Sequence, residues 1–290
     1  MSRDALIFCS PPVAGQVPLL DRLAAVKAAG FTGISLQPTD VWALEEQGML
    51  ASKVAARIAD AGLTVGEVDC TACWLDRHQT QGGDDDLSLL LRSLTAQRVV
   101  ETAARIGARS VVAIDLSDAP FDRDEAAEGF AALCDLAAEH GLLAHIEFLP
   151  MSPIRSLKEA WSVVEAAGRA NGGLTVDSWH FFRSGSSLED LARIPGERIH
   201  TVQLNDAPII PDNTTPAPDM WDEMMNARLL PGEGAFDLAG LIATLDRIGS
   251  TAPLGVEVFN ARHHNQTMAQ VAQDWAQSTR AMLAKVRGPA

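Results

Sequence analysis

The chain has 290 residues, of which 47% are hydrophobic and 21% charged; 38 acidic against 23 basic side chains give a formal net charge of −15. The length suits one large α/β unit, and the composition can bury a sizeable core. So acidic a chain repels phosphate backbones, which excludes nucleic acid as a partner and leaves neutral or cationic substrates, or anionic ones received by a metal or an arginine.

In chain order, the first apolar run, in "MSRDALIFCSPP", covers only five residues before Ser10 and Pro11 break it. That is too short for a signal peptide, and no later segment approaches a membrane span. A soluble cytoplasmic protein is expected. Strand-like runs then alternate with helix-patterned segments: "ALIFCS" (5–10), "GISLQP" (33–38), "LTVGEVDC" (63–70), "SVVAID" (110–115), "LLAHIEF" (142–148), "LTVDSWH" (174–180), "HTVQLND" (200–206) and "LGVEVF" (254–259). Between them lie amphipathic stretches such as "VPLLDRLAAVKAAG", "LTAQRVVETAARIG" and "AAEGFAALCDLAAEHG", with apolar residues at three- and four-residue spacing. Gly30, Gly62, Gly107 and Gly141 stand where helices should stop, just ahead of the next strand.

Eight such βα units predict an α/β fold of the (β/α)8, or TIM barrel, kind. An open doubly wound sheet would want a glycine-rich phosphate loop after its first strand, and "SPPVAGQVP" is none. No linker or composition shift divides the chain, so residues 1–290 are expected to form a single domain. Two connections that follow strands are long: Thr71 to Asp86, and Ala207 to Ala235. Both should lie on the catalytic face of a barrel. The second, carrying Trp221, Met224, Met225 and Arg228, suits a lid over a bound molecule, while Asp84–Asp86 reads as a helix N-terminus. Cys70 and Cys73 form a CxxC without a second pair and are expected to be ordinary thiols rather than a redox or zinc motif.

The last four strands each carry one polar residue behind apolar ones: Glu147, Asp177, Gln203 and Glu257. In a barrel these converge on one mouth, where buried carboxylates are costly unless paired or bound to a cation. A divalent metal is the simplest remedy; a shared proton or a neighbouring arginine are alternatives. Taken singly, Glu147 or Glu257 could be an interior ion-pair partner, Asp177 a turn cap and Gln203 a core amide.

The segments "IEFLP", "VDSWHFFRSG", "VQLNDAP", "RLLPGEGAFDL" and "GVEVF" make the sequence resemble the xylose isomerase-like TIM barrel superfamily. That superfamily includes sugar phosphate isomerases and ketose 3-epimerases, with relatives among inosose dehydratases, 3-dehydroshikimate dehydratases and endonuclease IV. The resemblance implies that Glu147, Asp177 and Glu257 bind one divalent cation, with Glu147 and Glu257 as catalytic acid/base groups. By the same resemblance His180 and Arg228 contact a small polyhydroxylated substrate, and a homo-oligomer is compatible with the family. Trp221 in the lid and Trp179 beside His180 join the substrate-binding set, with Trp179, Phe181 and Phe182 packing behind or beside the site. Where the family commonly has a histidine on the seventh strand, this chain has Gln203, so the expected ligands are Glu147, Asp177, Gln203 and Glu257 and the expected ion Mn²⁺ or Mg²⁺. The expected activity is a metal-dependent isomerase or epimerase acting by proton abstraction next to a carbonyl. Gln203 raises a dehydratase of the 3-dehydroshikimate or inosose type as the alternative, with His180 as a catalytic proton donor to the leaving group, and a non-catalytic sugar-binding barrel is the second.

Overall fold

The computed structural model describes residues 5–10, 17–210 and 219–288. Eight parallel strands close into a barrel in chain order: β1 (Leu6–Phe8), β2 (Gly33–Leu36), β3 (Thr64–Thr71), β4 (Ser110–Ala113), β5 (Leu143–Glu147), β6 (Gly172–Asp177), β7 (Ile199–Leu204) and β8 (Leu254–Val256). The expected TIM barrel is therefore the fold. The helices around it begin with α1 (Leu19–Ala28), α2 (Pro38–Glu46), α3 (Ala51–Asp60), α4 (Asp86–Ser93), α5 (Ala96–Ile106) and α6 (Arg123–Ala138). They continue with α7 (Leu157–Ala167), α8 (Ser178–Arg183), α9 (Leu188–Leu191), α10 (Met220–Asn226), α11 (Leu238–Arg247) and α12 (Met268–Arg287). Among the described residues no helix is long and apolar enough to cross a membrane.

Local chemistry sets where these elements stop. β2 ends short of the expected boundary because Pro38 opens α2, where a missing N–H costs nothing. β6 ends at Asp177 rather than running to His180, because the Asp177 carboxylate accepts from the His180 N–H and starts α8. α5 stops at Gly107, whose φ of 68° is the left-handed conformation that glycine takes without a Cβ penalty. Asp85 caps α4 through Ser88 N, as the acidic run suggested.

β6 and β7 are buried at every residue, as strands wrapped by helices must be. Outside the barrel, Phe8 of β1 stacks on Trp275 of α12 with ring centroids 4.8 Å apart. Inside it, the filling is partly polar. Thr201 Oγ1 donates to Glu67 Oε2 at 2.7 Å, His145 Nε2 lies 3.6 Å from the same oxygen, and His145 also meets Ser110 and Thr175 hydroxyls. Burial pushes the Glu67 carboxyl up to about 7 and holds the His145 imidazole far below its ordinary value. Both groups are consequently neutral under mildly acidic conditions, which makes this a hydrogen-bonded layer and not an ion pair.

The connection from Thr71 to Asp86 is pinned to the barrel. His78 Nδ1 accepts from the N–H groups of Trp74 and Leu75, which leaves Nε2 to donate to Asp115 Oδ1 at 3.1 Å. Arg77 Nη2 donates to the other Asp115 oxygen at 2.6 Å. Burial opposes ionisation of Asp115, yet the hydrogen bonds from His78 and Ser117 overcome it and hold the carboxyl well below the usual range. In the second long connection, residues 211–218 of the expected lid lie outside the described residues. The chain after α10 is stitched down: Asp206 and Leu229 exchange backbone hydrogen bonds of 2.9 and 2.7 Å, and Arg228 N donates to Phe259 O at 3.0 Å.

The Glu67 layer makes a pH prediction. Its folded value of about 7 lies above the ordinary 4.5, so the unfolded chain ionises first and the native state loses stability as pH rises from 4.5 through 7. Glu67→Gln should remove that loss. Relative to the parent, the variant should gain on the order of 3 kcal/mol between pH 4.5 and pH 8, read by urea unfolding at both pH values. Parallel pH dependence in the two proteins contradicts the assignment.

Candidate functional site

Side chains two residues apart on a strand point the same way, so Glu147, Asp177, Gln203 and Glu257 sit one step above His145, Thr175, Thr201 and Gly255. The ladder aligns Asp177 with Gln203 and Gln203 with Gly255, and Glu257 N donates to Leu204 O at 3.1 Å. Gly255 is required in its layer, because a Cβ there would come within 2.8 Å of Cys9 Sγ.

Glu147, Asp177 and His180 each present one donor atom, and the three atoms lie within 4.8 Å of one another. His180 Nε2 is 3.3 Å from Glu147 Oε1. Arg228, 1% exposed, spans the other side: Nη1 donates to Asp177 Oδ2 at 3.0 Å and to Glu257 Oε2 at 3.1 Å, while Nη2 lies 3.5 Å from His180 Nε2. Gln203 Nε2 donates to Glu257 Oε1 at 3.4 Å. A cavity of about 270 Å³ opens over this cluster, with Glu147, His180, Arg228 and Glu257 at its base and Asp69 and Cys70 beside them.

The cluster is short of positive charge. Among the described residues lining the cavity, Arg228 alone is cationic, against Asp69, Glu147 and Glu257. Burial, reinforced by the Asp177 charge, pushes the Glu147 carboxyl up to about 8. Burial does the same to Glu257, with Arg228 pulling back and Glu147 and Asp177 pushing further. His180 is driven down to about 4 by burial, so its imidazole is neutral and free to coordinate. Two buried atoms are left without a hydrogen-bond partner here, Gln203 Oε1 and His180 Nδ1. An orphaned buried carbonyl oxygen costs ~1–3 kcal/mol, a cost that a cation among these donors would offset. Two carboxylates, a neutral imidazole and an unpaired amide oxygen form a donor set that fits a divalent metal.

A second set of residues fixes the first. Asn205 Nδ2 donates to Asp177 Oδ2 at 2.7 Å and is itself held by Ser178, so Asp177 has both oxygens engaged. Asp206 accepts four backbone N–H bonds, from Ala207 at 2.9 Å and from Gly232, Gly234 and Phe236 at 3.0 Å. That cradle is the physical content of "PGEG": it folds the chain just after Arg228 back onto the end of β7. Gly234 is there for closeness, since a Cβ would come within 2.3 Å of both Ala207 O and Asp206 Oδ1. Arg183 Nε donates to Glu223 Oε1 at 2.9 Å, clamping α8 to α10.

The expected site residues gather at one place, though in a different grouping. His180, expected against the substrate, joins Glu147 and Asp177. Glu257 meets Asp177 across the Arg228 guanidinium, and Gln203 lies fully buried beneath. Trp179 is corrected: it is 0% exposed and donates its indole N–H to Glu223, so it supports α8 and does not reach the cavity. Trp221 does line the mouth. Cys70 faces the cavity as a thiol pushed up by burial and the Asp69 charge, whereas Cys73 bonds through its backbone to Leu94 and Ala96 away from it. Sequence reasoning missed Asp69, although the strand-end logic used for Glu147 applies equally to "GEVDC". It also missed Asn205, whose neighbour Asp206 drew no notice either.

A sequence model of the xylose isomerase-like TIM barrel family matches residues 23–282, and the chain belongs to that family. It is 28% identical over 194 residues to the inosose isomerase of Bacillus velezensis, covering 64% of this chain and 66% of that one. It is 30% identical over 256 residues to the 3-dehydroshikimate dehydratase of Pseudomonas aeruginosa, covering 86% of this chain and 37% of that one. The chain thus spans less than two thirds of either relative's length. In fold it is similar to an IolI protein crystallised with a bound zinc atom, with a TM-score of 0.81, 21% identity and 99% of both chains covered.

The cradle gives a direct test. Gly234→Ala should destabilise the chain by about 2 kcal/mol, seen as a fall of several degrees in Tm, because the added methyl must push Asp206 off the turn. An unchanged Tm contradicts the cradle.

Proposed function

Within the xylose isomerase-like TIM barrel family, we propose that this chain is a divalent-metal-dependent isomerase or epimerase that abstracts a proton next to a carbonyl in a small hydroxylated substrate. The observation that carries the reading is the pair of buried carboxyls, Glu147 and Glu257, which reach one cavity from the ends of β5 and β8, Glu147 lying beside Asp177 and His180. Two carboxyl groups facing one substrate volume can serve as base and acid in a proton transfer.

Glu147, Asp177 and His180 would hold the ion, with Gln203 Oε1 available to the same set; Mn²⁺ or Mg²⁺ suits so oxygen-rich a site. When bound, the metal supplies Lewis acidity at a carbonyl oxygen. Glu257 takes the proton from the carbon beside that carbonyl, and Glu147 returns one, at the same carbon for epimerisation or at the neighbour for isomerisation. Arg228 keeps Glu257 and Asp177 oriented and stays charged, because both carboxylates raise its already high proton affinity. Its guanidinium also faces the cavity, where it can receive a substrate oxygen. α10, whose Trp221, Met224 and Met225 line the cavity, serves as a cover of the site.

A dehydratase is the second reading. The similarity to a 3-dehydroshikimate dehydratase extends over 86% of this chain, and Gln203 replaces the usual strand-end histidine. Here the same proton abstraction would be followed by loss of a β-hydroxyl, with Glu147, the acid of the first reading, rather than the neutral His180 handing a proton to the departing oxygen.

Incubation of Mn²⁺-loaded chain with ketohexoses, inososes and 3-dehydroshikimate in deuterated water should give one compound that incorporates solvent deuterium. Unchanged composition identifies an isomerase or epimerase, and loss of one water the dehydratase. Glu257→Gln should cut exchange by about 10²–10⁴-fold without altering Tm by more than a degree or so. Undiminished exchange in the variant removes Glu257 from the chemistry, and no exchange with any compound contradicts the reading.

A further inference from the structure

The base of the cavity is charged, but its walls are not. Leu87, Leu90 and Leu91 line it from α4, Trp221 and Met224 from α10, and Phe259 from beyond β8. The three leucines fall at i, i+3 and i+4, so they form one stripe on a single helical face turned to the cavity. α4 buries none of its residues. Leu87, Leu90 and Trp221 are 54%, 39% and 45% exposed, which is a large apolar area to leave wet at the mouth of a site. Leu91 also packs against the barrel core, whereas Leu87 and Leu90 take no part in it.

The match with a free sugar is poor. A polyol seated on the acid cluster would turn its remaining hydroxyls towards leucine methyls and an indole face, where most would find no partner and would lose their hydration. Polar side chains on the walls, Gln37 and Thr39, come from one side only. Apolar atoms in the same place would instead cover Leu87, Leu90 and Trp221 and gain from each methylene removed from water.

We propose that the substrate of this site joins a hydroxylated carbonyl head, held by the acid cluster, to an apolar alkyl or aryl body that lodges between α4 and α10. The proposal rests on the proton-transfer reading for what the head does, and on the wall residues alone for the body. Leu87 and Leu90 are then specificity-determining residues for a reaction that Glu147 and Glu257 carry out.

The test is a homologous series. Calorimetric titration of the chain, with and without saturating Mn²⁺, uses dihydroxyacetone as the bare head and 1-hydroxy-2-alkanones of rising chain length as the extended ligands. Affinity should rise about threefold to fourfold per methylene over the first several carbons. In the Leu87→Ser/Leu90→Ser variant the factor per methylene should fall towards one; both positions are surface-exposed, so the fold survives the change. A series that stays flat or weakens with length overturns the proposal, as does failure of every member to bind. Light scattering on the same variant closes the remaining route: a change of mass with an unchanged ligand series would assign the leucines to a second copy of the chain and overturn it too. Deuterium exchange in the bound ketones separates the two levels. Length dependence without exchange sinks the proton-transfer reading and leaves the substrate class standing, whereas exchange with a flat series does the reverse.

Discussion

The site depends on one electrostatic constraint: among the described residues, several buried carboxylates at one end of the barrel share a cavity with a single guanidinium. Arg228 Nη1 bridges Asp177 and Glu257 at 3.0 and 3.1 Å, and Glu147 faces a neutral His180 rather than a cation. Charge of one sign in a low-dielectric pocket is costly. The protein meets the cost by raising the proton affinity of Glu147 and Glu257, and Gln203 Oε1 is left beside them as a buried acceptor without a hydrogen-bond partner.

Holding such a cluster open requires a rigid surround. Asp177 is oriented by Asn205 and by its own capping of α8, so neither oxygen can swing. Arg228 sits on a segment that the Asp206 cradle and the Phe259 backbone fix from both sides. Below, the neutral Glu67–His145–Thr201 layer fills the barrel without adding a competing charge at mildly acidic pH. Above, Leu87, Leu90, Leu91, Trp221 and Met224 from α4 and α10 form an apolar rim around the cavity.

The architecture was legible because periodicity carries it. Each of the eight apolar runs became a barrel strand, and glycines such as Gly107 ended helices where a left-handed residue was needed. Strand-end carboxylates were legible for the same reason, since a single polar residue after an apolar run has one physical place to go. What stayed hidden depended on contacts between distant segments. That His180 joins Glu147 and Asp177 stayed hidden because β6 turns into α8 directly after Asp177, bringing His180 over the acids. Trp179 was misread because an indole beside a site residue says nothing about which way the helix faces. The polar layer around Glu67 was invisible, because Thr201 and Glu67 lie 134 residues apart.

In the proposed reading this arrangement of acids grips one divalent ion. Electron paramagnetic resonance of free Mn²⁺ during titration into metal-stripped chain reads this directly. One ion should bind per chain, with affinity reduced at least about tenfold in both Glu147→Gln and Asp177→Asn. A chain that takes up no ion, or whose two variants bind as tightly as the parent, contradicts it.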